Sequence, residues 1–142
     1  MTASVPAESS PTSPSTPVHG VIPYISMRGR AGEAADFYVR AFAATNVQRY
    51  PLPGAPGRFM HVELTINGGA LMLTDGMGDD DTGAPGLHNA HLQLMVAGAA
   101  DWWQRAVDAG CAVVCPFEHQ PWGDEWGLLV DPFGVHWGIT TI

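Results

Sequence analysis

The sequence predicts an α+β fold of two β-α-β-β-β modules that together form a concave mixed sheet. Three observations lead to this prediction. Apolar residues recur with strand and helix periods in the same order in both halves, a segment near the end of each half repeats, and an acidic glycine-rich stretch separates the halves. The repeated segment is 68–74, which aligns with 134–140 at a constant offset of 66 residues. We interpret this pattern as an internal duplication, with modules at 18–75 and 88–142.

The first module combines one helix with four strands. Apolar residues at helical spacing, from Ala34 to Phe42, predict a helix over about 31–43. Asn67-Gly68 is typical of a hairpin turn, so the chain returns from one strand into the next at this point. The strands predicted in this module cover 21–27, 47–50, 59–66 and 70–74.

The second module repeats this order, with a helix predicted over 99–109 and Gly110 as its C-terminal cap. We expect at least one of Trp102 and Trp103 to be a core residue, and also Trp137. The repeat offset would place Val62 of the first module on Leu128 of the second. The strands predicted here cover 91–96, 111–115, 126–130 and 136–141.

Two segments are excluded from the predicted core. Residues 1–17 are rich in Ser, Thr and Pro, which predicts a disordered N-terminal tail. Residues 76–87 form an acidic, Gly-rich linker between the modules. Its run Asp79-Asp80-Asp81 does not begin a calcium loop, because Ala90 stands where such a loop needs a glutamate.

Length and charge limit the classes of partner. The chain has 142 residues, enough for one domain, and a formal net charge of −8 with six arginines and no lysine. Nucleic acids and anionic membranes are bound mainly through Lys and Arg, so neither is an expected partner. A neutral or cationic small molecule suits this charge better.

The cysteines and the apolar runs bear on the compartment. If 112–114 is a strand, the Cα atoms of Cys111 and Cys115 lie about 13 Å apart, too far for a disulfide bond. Reduced thiols are typical of the cytoplasm. No signal-peptide pattern and no apolar run long enough to span a membrane occur in the sequence. We therefore expect a cytoplasmic protein.

Short motifs accompany the duplicated layout. The first half contains Ile22-Pro23-Tyr24-Ile25, residues 33–38 and His61-Val62-Glu63-Leu64, and the second contains residues 116–124 and Asp131-Pro132-Phe133-Gly134. With these motifs the chain resembles the vicinal oxygen chelate superfamily, which includes glyoxalase I, extradiol dioxygenases and the bleomycin and fosfomycin resistance proteins. Within it, the segments look like those of the PhnB-like branch. The resemblance covers 18–142 and implies a cup between the modules and a homodimer.

The resemblance also implies where a metal would be held. Metal-dependent members take four ligands from the cup, one from the first and one from the last strand of each module. These positions are here Ile22, Met72, His91 and Gly138. Only His91 can bind a metal, whereas a Lewis-acid site needs about three protein ligands. No metal or other cofactor is therefore expected. The open alternative is a divalent metal on His91, His136 and Glu63, which strand alternation places on the cup face.

The cup is expected to be mostly apolar with a few polar groups, as small-molecule sites are. Trp122 lies between Pro121 and Gly123 in an irregular stretch, where packing gives little reason for a large aromatic, so we interpret it as a stacking surface. The candidate ligand-binding residues are Tyr24, His61, Glu63, Met72, His91, Gln93, Trp122 and His136. No catalytic residue is assigned.

The leading interpretation is a PhnB-like protein that binds a small molecule in the cup without a metal. Two alternatives remain open, a metal-dependent lyase or dioxygenase and a dimeric interaction module with a vestigial pocket. Hydrolase and phosphate-binding chemistries are disfavoured, because the sequence has neither a Gly-x-Ser-x-Gly motif nor a phosphate-binding loop. The sequence leaves open whether the protein is an enzyme, and it does not name the ligand.

Overall fold

The computed structural model describes residues 18–76 and 85–142. The predicted tail (1–17) and most of the predicted linker (77–84) lie outside the described residues. Helix α1 spans Ala31–Phe42 and helix α2 spans Ala99–Ala109. The strands are β1 Tyr24–Ser26, β2 Thr45–Pro51, β3 Phe59–Ile66, β4 Gly69–Thr74, β5 His91–Val96, β6 Ala112–His119, β7 Glu125–Val130 and β8 His136–Thr141.

Two four-stranded mixed sheets, one in each module, confirm the predicted α+β fold and its duplication. Their strand orders are β1-β4-β3-β2 and β5-β8-β7-β6. In each sheet the first strand pairs parallel with the last, and the remaining pairs are antiparallel. The single helix of each module packs on one face of its sheet. We call the opposite face of each sheet its open face.

The repeat in the structure differs by one residue from the sequence alignment in one pair of strands. Strands β4 and β8 correspond at the predicted offset, with Met72 equivalent to Gly138. Glu63 of β3 pairs with Met72, and Leu128 of β7 pairs with Gly138. Glu63 therefore corresponds to Leu128, and the predicted alignment of Val62 with Leu128 is wrong.

This shift decides which side chains occupy equivalent places, because neighbouring residues of a strand point to opposite faces. Val62 corresponds to Gly127, and both are buried on the helix side. His61 corresponds to Trp126, and both lie on an open face. The duplication therefore has an imidazole in one sheet where the other has an indole.

One hydrophobic core includes residues of both modules. The predicted core residue Trp137 of β8 is buried, and its ring centroid lies 4.3 Å from that of Phe42 and 5.4 Å from that of Tyr38, both on α1. Helix α2 contributes less, since Trp102 and Trp103 are only half-buried at the edge of the core. The modules are thus joined where α1 packs against α2, and the rings of Tyr38 and Phe42 add contacts between α1 and β8.

A buried carboxylate, Asp131, fixes this junction. Its Oδ1 accepts the backbone N–H groups of Phe133 at 2.9 Å and Val135 at 3.0 Å, which closes the turn between β7 and β8. Its Oδ2 accepts the hydroxyl of Tyr38 at 2.6 Å and the indole N–H of Trp137 at 3.0 Å. The Asp-Pro-Phe-Gly segment therefore has a structural role, and it connects the second module to α1.

Asp75, after β4, has a similar role in the first module. The side chain of Arg30 makes no capping hydrogen bond at the start of α1. Instead, Oδ1 of Asp75 accepts the N–H groups of Gly29 at 2.8 Å and Ala31 at 2.9 Å, and Oδ2 accepts that of Phe59 at 3.0 Å. This distant carboxylate satisfies donors that a local cap would otherwise satisfy.

Strand β6 continues past its predicted end at Cys115 to His119. It includes Pro116, which lacks an N–H and would interrupt the hydrogen bonding of a central strand. Because β6 is the edge strand of its sheet, one side of its backbone needs no partner and the proline is tolerated. Within the described ranges, neither helix is long and apolar enough to cross a membrane.

Both cysteines are free thiols, as their spacing predicted. Burial, together with the negative charge of Asp131, raises the pKa of Cys111 to about 12. Only the thiolate reacts with alkylating agents, so we expect iodoacetamide at neutral pH to label Cys115 and to spare Cys111 until the protein unfolds. Peptide mass spectrometry with and without urea measures this difference. Equal labelling of the two thiols in the native protein would contradict it.

Candidate functional site

The open face of the first sheet has a polar cluster on neighbouring strands. Tyr24 of β1 and Glu63 of β3 both pair with Met72 of β4, which lies between them. His61 lies two residues before Glu63 and therefore on the same face, and Tyr50 of β2 pairs with it. The fold thus brings together four of the predicted site residues.

The hydrogen bonds of this cluster run in one direction. The hydroxyl of Tyr24 lies 2.7 Å from Nδ1 of His61, and Nε2 of His61 lies 3.3 Å from Oε1 of Glu63. An ionised carboxylate only accepts, so Nε2 bears the proton of the neutral imidazole. Nδ1 then accepts, and the Tyr24 hydroxyl donates to it. We call Tyr24, His61 and Glu63 the relay cluster.

Two aromatic rings hold the imidazole of His61. The Tyr24 ring meets it edge-on with centroids 5.3 Å apart, and the Tyr50 ring lies at 5.8 Å. Tyr50 donates its hydroxyl to Oε1 of Gln48 at 3.0 Å, which fixes that ring. The side chains of His61 and Glu63 are 20% and 25% exposed, whereas Tyr24 is 44% exposed. The phenol is therefore the end of the relay cluster that a ligand reaches first.

The phenol of Tyr24 stays protonated at neutral pH. Partial burial and the negative charge of Glu63 raise its pKa above the ordinary value of 10.0. Because its proton is directed at His61, the lone pairs of its oxygen remain available to a donor from outside.

The open face of the second sheet has a histidine pair and an amide. His91 of β5 and His136 of β8 are direct partners in the parallel register. Oε1 of Gln93 lies 2.9 Å from Nε2 of His91 and 3.4 Å from the indole nitrogen of Trp126. An indole N–H only donates, so both nitrogens donate to this oxygen. The amide nitrogen of Gln93 donates to the hydroxyl of Thr140.

Gly138 provides the space that this amide occupies. Gly138 pairs with Gln93, and a Cβ on it would overlap the Gln93 oxygen and lie 3.0 Å from the indole nitrogen of Trp126. The amide thus lies over the position that the resemblance assigns to the fourth metal ligand. A polar side chain already fills the space that such a ligand would need.

A pocket of about 360 Å³ opens beside the histidine pair, within the size range of small-molecule sites. It is lined by Asn89, Ala90, His91, Leu128 and His136. Three rings form a row at one side, since Trp126 lies 6.5 Å from His91 and 6.2 Å from Trp122 between centroids. Trp122 is 64% exposed, so a ligand has free access to it.

The predicted site residues thus form two groups. Tyr24, His61, Glu63 and Met72 lie on the first sheet, and His91, Gln93, His136 and Trp122 belong to the second module. In the part of the chain that the structure describes, no hydrogen bond, ion pair or ring contact joins the groups. A smaller pocket of about 160 Å³, lined in part by Pro23 and Gln93, lies between the modules.

The alternative metal site on His91, His136 and Glu63 is not assembled within the chain. Glu63 lies on the other sheet and is bonded to His61. Residues 18–76 and 85–142 contain no group of three or more His, Cys, Asp or Glu side chains that could hold a metal ion. The Nε2 proton of His91 is directed at Gln93. Within the described residues of one chain, His91, His136 and Glu63 therefore do not form a metal site.

Two residues of these sites were not indicated by the sequence. Trp126 is the counterpart of His61, and alternation along β7 could have placed it on the open face had the register of the repeat been known. Tyr50 pairs with His61 only because β2 and β3 share a register that includes bulges. A bulge shifts pairing by a residue and leaves no clear sequence pattern.

Comparisons with known proteins agree with this architecture. The family model of the Glyoxalase/Bleomycin resistance protein/Dioxygenase superfamily matches residues 22–139. The uncharacterized protein Mb0911c of Mycobacterium bovis is 39% identical over 116 residues, which cover 77% of this chain and 74% of that protein.

Solved structures show the same fold. Protein PA1353 from Pseudomonas aeruginosa has a TM-score of 0.70 at 24% identity, covering 87% of this chain and 98% of that one. The PhnB protein from Bacillus cereus has a TM-score of 0.65 at 23% identity, covering 87% and 100%. The family match spans most of the chain and agrees with the duplicated modules, so the chain belongs to the glyoxalase/bleomycin resistance protein/dioxygenase superfamily.

Proposed function

We propose that this protein binds a small organic molecule in the cup of its superfamily, on the open faces of its sheets, without a resident metal. The pocket beside His91 and His136 supports this proposal most directly. It combines a volume suited to a small ligand with two imidazoles in its lining. Trp126 lies 6.5 Å from His91 of the pocket between ring centroids, and the exposed indole of Trp122 next to Trp126 offers a face on which a flat ligand can stack.

The ligand of this proposal is neutral or cationic. The chain has a net charge of −8 and no lysine. Arg49 of β2 points to the helix side, where it pairs with Asp36 at 2.6 Å and bonds the carbonyl of Gly32. The outward groups of the relay cluster are a phenolic oxygen and a carboxylate, both hydrogen-bond acceptors. These groups favour a molecule with N–H or O–H donors.

We also propose that the protein acts as a homodimer in the cytoplasm. Val113 and Val114 on the edge strand β6 are 50% and 46% exposed, and Met95 on the open face of β5 is 49% exposed. Apolar side chains at a strand edge are a surface that a second copy can cover. The two free thiols suit a reducing compartment.

Filling the pocket tests the proposed function. Native mass spectrometry of freshly purified protein reads any bound small molecule, and quenching of tryptophan fluorescence by neutral and cationic aromatic compounds measures affinity. Leu128→Trp is expected to weaken binding at least about tenfold, because the indole occupies the pocket. Val39→Trp adds the same ring to the exposed side of α1 and is the matched control. Equal binding by both variants would contradict this site, and a dimer that binds no compound would favour the interaction module.

The same mass spectra read the metal content. We expect less than about a tenth of an equivalent of Zn, Ni, Mn or Fe per chain, because imidazoles without a third protein ligand hold a divalent ion too weakly to survive purification. His91→Ala should barely change the weak binding of added metal. Near-stoichiometric metal that is lost in His91→Ala or His136→Ala would contradict the proposal and favour a metal-dependent lyase or dioxygenase.

A further inference from the structure

The relay cluster has features that ligand binding alone does not require. Tyr24, His61 and Glu63 lie on the open face, and none of them belongs to the hydrophobic core. Their bonds form a chain from an exposed hydroxyl through an imidazole to a half-buried carboxylate. In the described ranges, His61 is the only cationic or potentially cationic group paired with Glu63. A hydroxyl, a base and a group that orients the base are the parts of an acid–base site.

We propose that the relay cluster is a general base that removes a proton from a small neutral molecule with an acidic C–H or O–H bond. Tyr24 is the catalytic residue that contacts the substrate, and His61 is the final proton acceptor. Glu63 is a positioning residue, because its carboxylate holds the Nε2–H tautomer of His61 and so leaves Nδ1 free to accept.

The proton transfer balances without any further reactant. The X–H bond of the substrate breaks, and its electron pair stays on X. The proton bonds to the phenolic oxygen of Tyr24 as that residue's own O–H bond breaks towards Nδ1 of His61. Tyr24 is neutral before and after the step, and the resulting imidazolium faces the Glu63 carboxylate. Return of a proton by the same path, to another atom of the substrate or to water, restores the starting state.

The surroundings of the cluster agree with this direction of transfer. The pKa of Tyr24 lies above its ordinary value because of burial and Glu63, so the phenol exchanges protons and does not persist as a phenolate. The second module has Gln93, Trp126 and Leu128 at the places equivalent to Tyr24, His61 and Glu63. An amide, an indole and an alkyl group have no basic site, so the second module has no counterpart of the relay cluster at these places.

The tautomer of His61 is the first test. Nitrogen NMR of labelled protein is expected to show His61 protonated at Nε2, with Nδ1 accepting a hydrogen bond. Tyr24→Phe should shift the Nδ1 resonance, since it removes the donor. Glu63→Leu, which copies the second module, should populate the other tautomer. A proton on Nδ1 in the unmodified protein, or an Nδ1 resonance that Tyr24→Phe leaves unchanged, would overturn the proposal.

The rate of proton abstraction is the second test, with nitrobenzisoxazole as the probe. Loss of its ring C–H proton breaks the N–O bond and releases a coloured phenolate, and no cofactor is needed. We expect an acceleration of at least about 10²-fold over buffer. Tyr24→Phe and His61→Gln should each remove most of it, and Glu63→Leu should lower it. His119→Gln is the matched control, because that histidine is exposed on β6 of the other sheet. Tyr24→Phe with the full rate would refute the proposal.

This inference rests on the proposed function, because the probe has to reach the open face, and the two failures can be told apart. The C-methylated analogue of the probe has no proton to lose, so equilibrium dialysis with it measures binding alone. Binding of the analogue without acceleration of the probe refutes the general base and leaves the proposed function intact. If the analogue does not bind, the proposed function loses support, and the NMR of His61 decides the inference.

Discussion

Asp131→Ala is expected to lower the free energy of unfolding by more than about 4 kcal/mol. The Asp131 carboxylate accepts four hydrogen bonds from buried donors. Its removal leaves the Tyr38 hydroxyl, the Trp137 indole and two backbone N–H groups without acceptors, and each unsatisfied group costs about 1–3 kcal/mol. Domains of this size are stable by only about 5–15 kcal/mol, so the variant should be close to unfolding.

Asp131→Asn separates the two halves of this network. The amide oxygen can still accept hydrogen bonds from the N–H groups of Phe133 and Val135. The new NH₂ group, however, faces the indole N–H of Trp137, and two donors cannot form a hydrogen bond with each other. We therefore expect a smaller loss than for alanine. Urea unfolding followed by circular dichroism measures both variants. The control is Asp108→Ala, which removes an exposed carboxylate of α2. Similar unfolding midpoints for Asp131→Ala and this control would show that the buried network adds little stability.

Stability is expected to fall steeply above about pH 10. Burial and the charge of Asp131 raise the pKa of Tyr38 well above its ordinary value of 10.0. In the unfolded chain Tyr38 ionises near that value, so above it the folded state binds more protons. The stabilisation is therefore complete below about pH 10 and is lost as the pH rises towards the folded-state pKa, by up to about 1.4 kcal/mol per pH unit.

Tyr38→Phe isolates this contribution. It should lower stability at neutral pH, because Asp131 loses a donor, and it should flatten the decline between neutral pH and about pH 11. Some decline will remain, because the raised pKa of Cys111 acts in the same direction. Urea midpoints across this range measure the slope. An unchanged slope in Tyr38→Phe would mean that other groups cause the alkaline unfolding.

Much of the architecture could be predicted because it depends on local patterns. Helical spacing from Ala34 to Phe42 and alternation over 59–66 each need only a few neighbouring residues to be recognised. The duplication was visible because residues 68–74 and 134–140 share their first glycine, their last threonine and the apolar third and first positions before that threonine. The helix start at Ala31 was also predicted, although the carboxylate that caps it comes from Asp75.

The site was harder to predict because it depends on register between strands. The side chains of β3 do not reveal that its pairing with β2 contains bulges. The position of Tyr50 beside His61 could therefore not be predicted from the sequence. The repeat alignment failed by one residue in β7 because both Leu128 and Leu129 are apolar, and either fits a buried strand. The directions of the hydrogen bonds of His61 and Gln93 could be assigned only from the structure. There the Glu63 carboxylate can only accept from His61, and the Trp126 indole N–H can only donate to Gln93.

The shared core has a consequence for how the two halves can change. Tyr38 on α1 bonds to Asp131 in the other half, and Trp137 packs on Phe42, so each repeat completes the interior of the other. The two repeats therefore share one hydrophobic core. Substitutions are expected to cost more stability where the halves meet than at Tyr24, His91 and Gln93 of the open faces, which lie outside the core. At equivalent positions of these faces, the first repeat has the imidazole of His61 beside the phenol of Tyr24. The second repeat has the indole of Trp126 beside the amide of Gln93. The two repeats therefore share their backbone topology, whereas the functional groups on their open faces differ.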